Sequence, residues 1–154
     1  RVHKSGRPFT DPSGDRLRDW LGVDEATFYD VDRFAIIPMG FCFPGYDAKG
    51  ADIAPRKECR QTWHDLLFTL MPQIELILVI GLYAQEYHLG AARKRTLTDT
   101  VRAWRDFEKL GSAGSAHVIP MPHPSWRNNG WLKKNPWFED ELLEFLRKRV
   151  ISLI

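Results

Sequence analysis

Three short, almost uninterrupted apolar runs constrain this chain more than any other feature: Phe34-Ala35-Ile36-Ile37-Pro38-Met39, Leu76-Ile77-Leu78-Val79-Ile80-Gly81 and His117 to Met121. Runs so short and so poorly alternating fit strands covered on both faces. Stretches with helical spacing lie between them. Glu58 to Met71 sets Cys59, Thr62, Trp63, Leu66, Leu67 and Leu70 on one apolar face and is stopped by Pro72. Tyr83 to Leu89 ends at Gly90, and Leu97 to Leu110 has Thr98 as its cap. Upstream, Asp15 to Gly22 carries Leu17, Trp20 and Leu21 at helical spacing before a glycine stop, and Asp24 caps a short helix to Tyr29. A last helix runs from Glu139 to about Val150. Strands alternating with helices predict a parallel sheet covered on both sides. The ligand crevice is then expected beyond the carboxyl ends of the strands, in the loops after Met39, Gly81 and Met121.

The loop after Met121 has an unusual composition. Pro122-His123-Pro124-Ser125-Trp126-Arg127-Asn128-Asn129-Gly130-Trp131 mixes two tryptophans, an arginine, a histidine and two asparagines. Turn geometry explains the prolines and Gly130. Exposed aromatic, cationic and amide groups together suit base stacking, phosphate pairing and hydrogen bonding to a polar ring, so a nucleic-acid base site is expected here. The formal net charge is only +2, so affinity for DNA must come from local clusters. Those are Arg1 to Arg7, Arg93-Lys94-Arg95, Lys133-Lys134 and Arg147-Lys148-Arg149, the last reading as a solvated helix face. With 154 residues, one domain spanning 1–154 is expected. Cys42 and Cys59, the only cysteines, cannot build a four-thiolate metal site and read as buried, reduced thiols of a cytoplasmic protein. No apolar run approaches the roughly 18 residues of a membrane span.

Four segments, in order, carry a resemblance. They are Gly6-Arg7-Pro8-Phe9 followed by Ser13-Gly14 and Leu17; Glu58-Cys59 opening a helix; Leu78-Val79-Ile80-Gly81-Leu82-Tyr83-Ala84 with Leu89-Gly90; and His123-Pro124-Ser125. Over most of its length the chain resembles the uracil-DNA glycosylase superfamily. The resemblance implies a three-layer α/β/α sandwich with a central four-stranded parallel sheet. It also implies a monomeric enzyme, without metal or cofactor, that flips a damaged or deaminated base out of DNA and hydrolyses its N-glycosidic bond. Breaking that bond builds positive charge on the sugar and negative charge on the departing base. Such a site must stabilise an anion, hold the base and direct a water.

The resemblance also assigns residues. Phe9 matches the phenylalanine on which the flipped base stacks, with a core aromatic as the alternative. His123 matches the histidine that hydrogen-bonds the base carbonyl. Phe9 and His123 are expected to face each other across a slot sized for one flat heterocycle. Ser125 is a phosphate contact or a turn hydroxyl; Trp126 is a minor-groove wedge or packs on Trp131 or the last helix; Arg127 clamps phosphate or base; Asn128 meets DNA or caps a turn. Lys133 and Lys134 line the DNA track or are simply solvated, and Trp137 and Phe138 are core. The superfamily's water-activating acidic motif corresponds to positions before Arg1, which leaves Asp11 as the nearest carboxylate, with helix capping as its alternative. Where several branches read uracil with an asparagine, this chain has Pro38-Met39-Gly40-Phe41. Met39 and Gly40 then border the base, and xanthine, hypoxanthine or another lesion stands beside uracil as substrate. Cys42 and Cys59 align with two of four cluster ligands of an iron-sulfur branch, too few thiolates for a cluster. Tyr83, Gln85 and His88 border the groove or lie on a helix surface. Two further readings remain: a DNA-binding module that keeps the fold without cutting, and an α/β hydrolase using Ser125 and His123, which lacks a Gly-x-Ser-x-Gly elbow.

Overall fold

The computed structural model describes residues 5–50, 52–107 and 116–154. In chain order the elements are α1 (Pro12–Leu21), α2 (Glu25–Phe28), α3 (Lys57–Leu70), β1 (Leu76–Ile80), α4 (Leu82–Leu89), α5 (Leu97–Arg102), α6 (Trp104–Phe107), β2 (His117–Met121), α7 (Asn129–Lys134) and α8 (Glu144–Ile151). They gather into two compact units. One takes the described residues up to Ile36 together with Pro122–Ile154, the other Ile37–Met121.

In the first unit, α1 begins on Pro12, whose missing N–H is no loss in a first turn. It ends at Gly22 in the left-handed region, φ 70°, where the N–H groups of Gly22 and Val23 donate to the carbonyls of Asp19 and Arg18. Leu17, Trp20 and Leu21 are buried, and the Trp20 ring meets Phe138 edge-on at 4.9 Å. Phe138, Leu142, Leu143, Leu146 and Val150 fill the same core; each buried side chain of this size contributes roughly 1.5–3 kcal/mol. The final helix opens with a wide π-type stretch, Phe138–Leu143, before α8. That wider turn lets the adjacent Leu142 and Leu143 both point inward with Phe138. Asp24 caps α2 as expected, its Oδ1 accepting the Thr27 N–H at 2.8 Å.

In the second unit β1 and β2 pair in parallel, Leu76 opposite His117 through Ile80 opposite Met121. Among the described residues the sheet has these two strands, not four. The expected strand Phe34–Met39 forms no strand and joins no ladder. Pro38 has no N–H to give to a ladder, although Pro120 shows that a single proline is tolerated within a paired strand. Val79, Ala84, Leu89, Phe107 and Val118 form the core, with Met39 and Ile77 packed against it.

Three other expectations need correction. Thr96, not Thr98, caps the helix after Arg95: its Oγ1 accepts the Asp99 N–H at 3.0 Å and donates to Asp99 Oδ2 at 2.7 Å. The helix expected over 97–110 breaks at Ala103 into α5 and α6, with Thr100 and Val101 buried before the break and Trp104 and Phe107 after it; residues 108–110 lie outside the described residues, as do 1–4 of the first basic cluster. On α3 the expected apolar face points outward, with Trp63, Leu66 and Leu70 exposed. The helix instead buries His64, which stacks on His88 at 5.3 Å and meets Phe41, Phe68 and Tyr87 edge-on. A pattern of aliphatic residues does not register an imidazole at the centre of an aromatic cluster.

Candidate functional site

The segment before α1 folds back on the helix that follows it. A Cβ at Gly14 would lie 1.7 Å from the Phe9 carbonyl oxygen, so only glycine permits this approach. Phe9 itself has φ 59°, the sole non-glycine with positive φ among the described residues. Holding an aromatic residue there costs on the order of 1–2 kcal/mol, and side chains from both sides hold it. Arg18 Nη1 donates to the Phe9 carbonyl at 3.3 Å, and the Tyr29 hydroxyl donates to the Pro8 carbonyl at 2.7 Å. The Phe9 ring then stands edge-on to Phe28 at 6.3 Å and lies 6.4 Å from the His123 imidazole, tilted by 32°. Residues far apart in the chain are thus brought together. A ring sandwiched face to face between two others needs about 7 Å, two stacking distances of about 3.4 Å. The ring centres fall a little short of that separation, and the rings are tilted rather than parallel.

His123 sits in the loop after Met121, exposed on one side of its ring. Burial of the remainder holds its pKa below the ordinary histidine value, and the Asp11 carboxylate opposes that shift. A neutral imidazole carries one N–H to donate. Asp11 is at the N-cap position of α1, yet its side chain accepts no backbone N–H. The helix is started by its carbonyl, which takes the Gly14 N–H at 2.8 Å. Its carboxylate Oδ1 accepts the Ser13 hydroxyl at 2.6 Å. The capping alternative therefore does not use up this side chain.

The loop that follows is two short helical turns, a 3₁₀ turn over Trp126–Asn128 and then α7. Asn128 Nδ2 donates to the His123 carbonyl at 2.6 Å, and Arg16 Nη1 donates to the Ser125 carbonyl at 3.0 Å. Asn128 takes the turn-capping role in the free chain, and α1 anchors the loop through Arg16. Trp126 is 72% exposed with the Arg127 guanidinium 5.9 Å from its ring centre. The packing alternative falls to Trp131, which lies against Trp137 at 5.9 Å and Phe138 at 5.5 Å. Phe138 is core as expected and Trp137 half-buried, its Nε1 donating to Asn135 Oδ1. No hydrogen bond joins Ser125 to the His123 ring among the described residues, which leaves a serine hydrolase without its activated nucleophile.

The family model of the uracil DNA glycosylase superfamily matches residues 1–147. The chain belongs to the uracil DNA glycosylase superfamily. In this member the aromatic of the Gly-Arg-Pro-Phe segment and the histidine of the His-Pro-Ser segment meet, and Asp11 lies close enough for its charge to act on that histidine.

The other residues singled out, from Met39 to His88, belong to the second unit. Met39 packs against its core, and a Cβ on Gly40 would be 3.4 Å from Pro55 Cβ. Cys42 is exposed and Cys59 half-buried, so neither is the buried thiol expected. Among the described residues no three His, Cys, Asp or Glu side chains gather to hold a metal, and two thiols do not fit the cluster of the iron-sulfur branch. Tyr83 is exposed on α4, but Gln85 is fully buried and His88 partly so. Gln85 Nε2 and the Gly81 N–H both donate to the Met121 carbonyl, fixing the end of β2. Reading by motif did not single out Arg16, Arg18 or Tyr29, and it gave Ser13 no role beyond its place in Ser13-Gly14. Their signal was proximity in sequence to the Gly-rich loop, which does not say where a side chain reaches.

Proposed function

We propose that this chain is a DNA glycosylase that hydrolyses the N-glycosidic bond of a flipped uracil or other deaminated base, as a single glycosylase-like domain in base excision repair. The observation that carries the reading is the meeting of Phe9 and His123, with the Asp11 charge acting on that histidine, in a member of this superfamily. Phe9 supplies the face on which the extruded base stacks. The neutral His123 donates a hydrogen bond to the base oxygen, where negative charge grows as the bond breaks. Asp11 takes a proton from the water that attacks the sugar carbon. Extrusion costs a few kcal/mol of stacking, and exposed Trp126 offsets it as the wedge. Arg127, Ser125 and Asn128 meet the DNA backbone around it.

The test is abasic-site formation on oligonucleotides carrying uracil, hypoxanthine or xanthine, single-stranded and paired, with His123→Ala and Asp11→Asn beside the unaltered chain. Cleavage by the unaltered chain and its loss in both variants supports the assignment. Tight binding to the same oligonucleotides with no abasic product on any of them would overturn it in favour of a base-sensing module.

A further inference from the structure

Asp11 is the carboxylate whose charge acts on His123, and something has to decide which way it points. An aspartate at a helix N-cap ordinarily turns toward the N–H groups of the first turn. Here it does not: no side-chain cap bond forms, and Oδ1 accepts the Ser13 hydroxyl at 2.6 Å in a half-buried setting. The alternatives for each partner are limited. Pro12 has no N–H to offer, and the Gly14 N–H is spent on the Asp11 carbonyl at 2.8 Å. The Ser13 hydroxyl has given its proton to Oδ1, and the other oxygen of Asp11 is left without a hydrogen-bond partner among the described residues.

We propose that Ser13 is a positioning residue for hydrolysis: its hydroxyl ties down one oxygen of Asp11 and so presents the other to the attacking water. The inference rests on the glycosylase reading above and adds to it a residue that touches neither base nor sugar. A serine two positions after the aspartate, on a proline-started helix turned back by Gly14, is placed to turn a would-be helix cap into an aimed base.

A mutant cycle tests it. Ser13→Ala should lower kcat about tenfold with KM little changed, and Ser13→Thr, which keeps the hydroxyl, should restore most of the loss. In the Asp11→Asn background, itself reduced about a hundredfold or more, Ser13→Ala should cost nothing further, because the residue it aims has gone. An equal loss in both backgrounds, no loss in Ser13→Ala, or no rescue by threonine overturns the proposal. The same cycle is read without substrate by following the His123 imidazole titration by NMR. Ser13→Ala should move its midpoint when residue 11 is aspartate and leave it unmoved when residue 11 is asparagine. If the unaltered chain cleaves no base, the glycosylase reading fails, while this titration still decides whether Ser13 holds the carboxylate.

Discussion

His123 shows how a single residue links fold to chemistry. Burial lowers its pKa and the Asp11 charge works against that lowering. Replacing Asp11 with asparagine removes the opposing charge. The His123 titration midpoint, followed by NMR, should therefore fall further, and a midpoint that rises or stays put would show that the two side chains do not sense each other. Removing the imidazole altogether, in His123→Ala, leaves the departing anion without its donor and should reduce cleavage about 10²–10³-fold. Gly14 is as demanding, for a steric reason. A Cβ there would lie 1.7 Å from the Phe9 carbonyl oxygen, a backbone atom that cannot swing aside. Gly14→Ala should lower unfolding stability by about 2 kcal/mol or more and displace Phe9 from His123. Urea denaturation and loss of the Phe9 and His123 ring contact by NMR would report the two effects separately.

Among the elements, α3 and α4 carry a pH dependence of their own. His88 on α4 stacks on His64 of α3, and burial first, with the His64 charge next, pushes its pKa down to about 4; Asp65 pulls the other way and Arg60 adds a smaller push downward. The folded state thus releases this proton more readily than the unfolded chain. The associated stability is whole above the ordinary value near 6.5, falls as pH drops from there toward 4, and levels off below. Allowing for solvent around the partly open ring, the loss is about 2 kcal/mol. His88→Gln should flatten the fall of the urea midpoint between pH 7 and pH 4.5 relative to the unaltered chain; parallel curves would refute the assignment. That pair was invisible to apolar spacing, which put Trp63, Leu66 and Leu70 inward on α3. Where spacing coincided with chain punctuation it succeeded: the Gly22 stop, the Asp24 cap, the Gly90 stop and both paired strands stand where the sequence put them. Phe34–Met39 failed as a strand because being apolar does not supply a hydrogen-bonding partner, least of all at Pro38. Phe9 and His123 were legible because family motifs fix them. The arginines and the tyrosine that hold their backbones were not, because no local pattern says how far a side chain reaches across a fold.

At the scale of the whole molecule, a formal net charge of +2 gives little long-range attraction for a polyanion. Any grip on DNA must come from where the cations sit. After His123 the chain presents Arg127, Lys133 and Lys134 in quick succession, all exposed, beside the exposed Trp126. Arg16, which approaches the same loop, already donates to the Ser125 carbonyl. Each phosphate neutralised on a duplex contributes about 0.9 to the slope of log affinity against log salt. Three such contacts predict a slope of about −3, far shallower than the value near −10 of a protein that tracks many phosphates. Arg127→Ala should reduce the slope by about 1. Trp126→Ala should leave the slope alone while weakening binding to a lesion in a duplex more than to the same lesion in a single strand, since only the duplex has stacking to be broken. Fluorescence anisotropy across a salt series reads both quantities. A steep slope indifferent to Arg127, or a Trp126→Ala loss equal on both substrates, would move the DNA track away from this segment to another face of the protein.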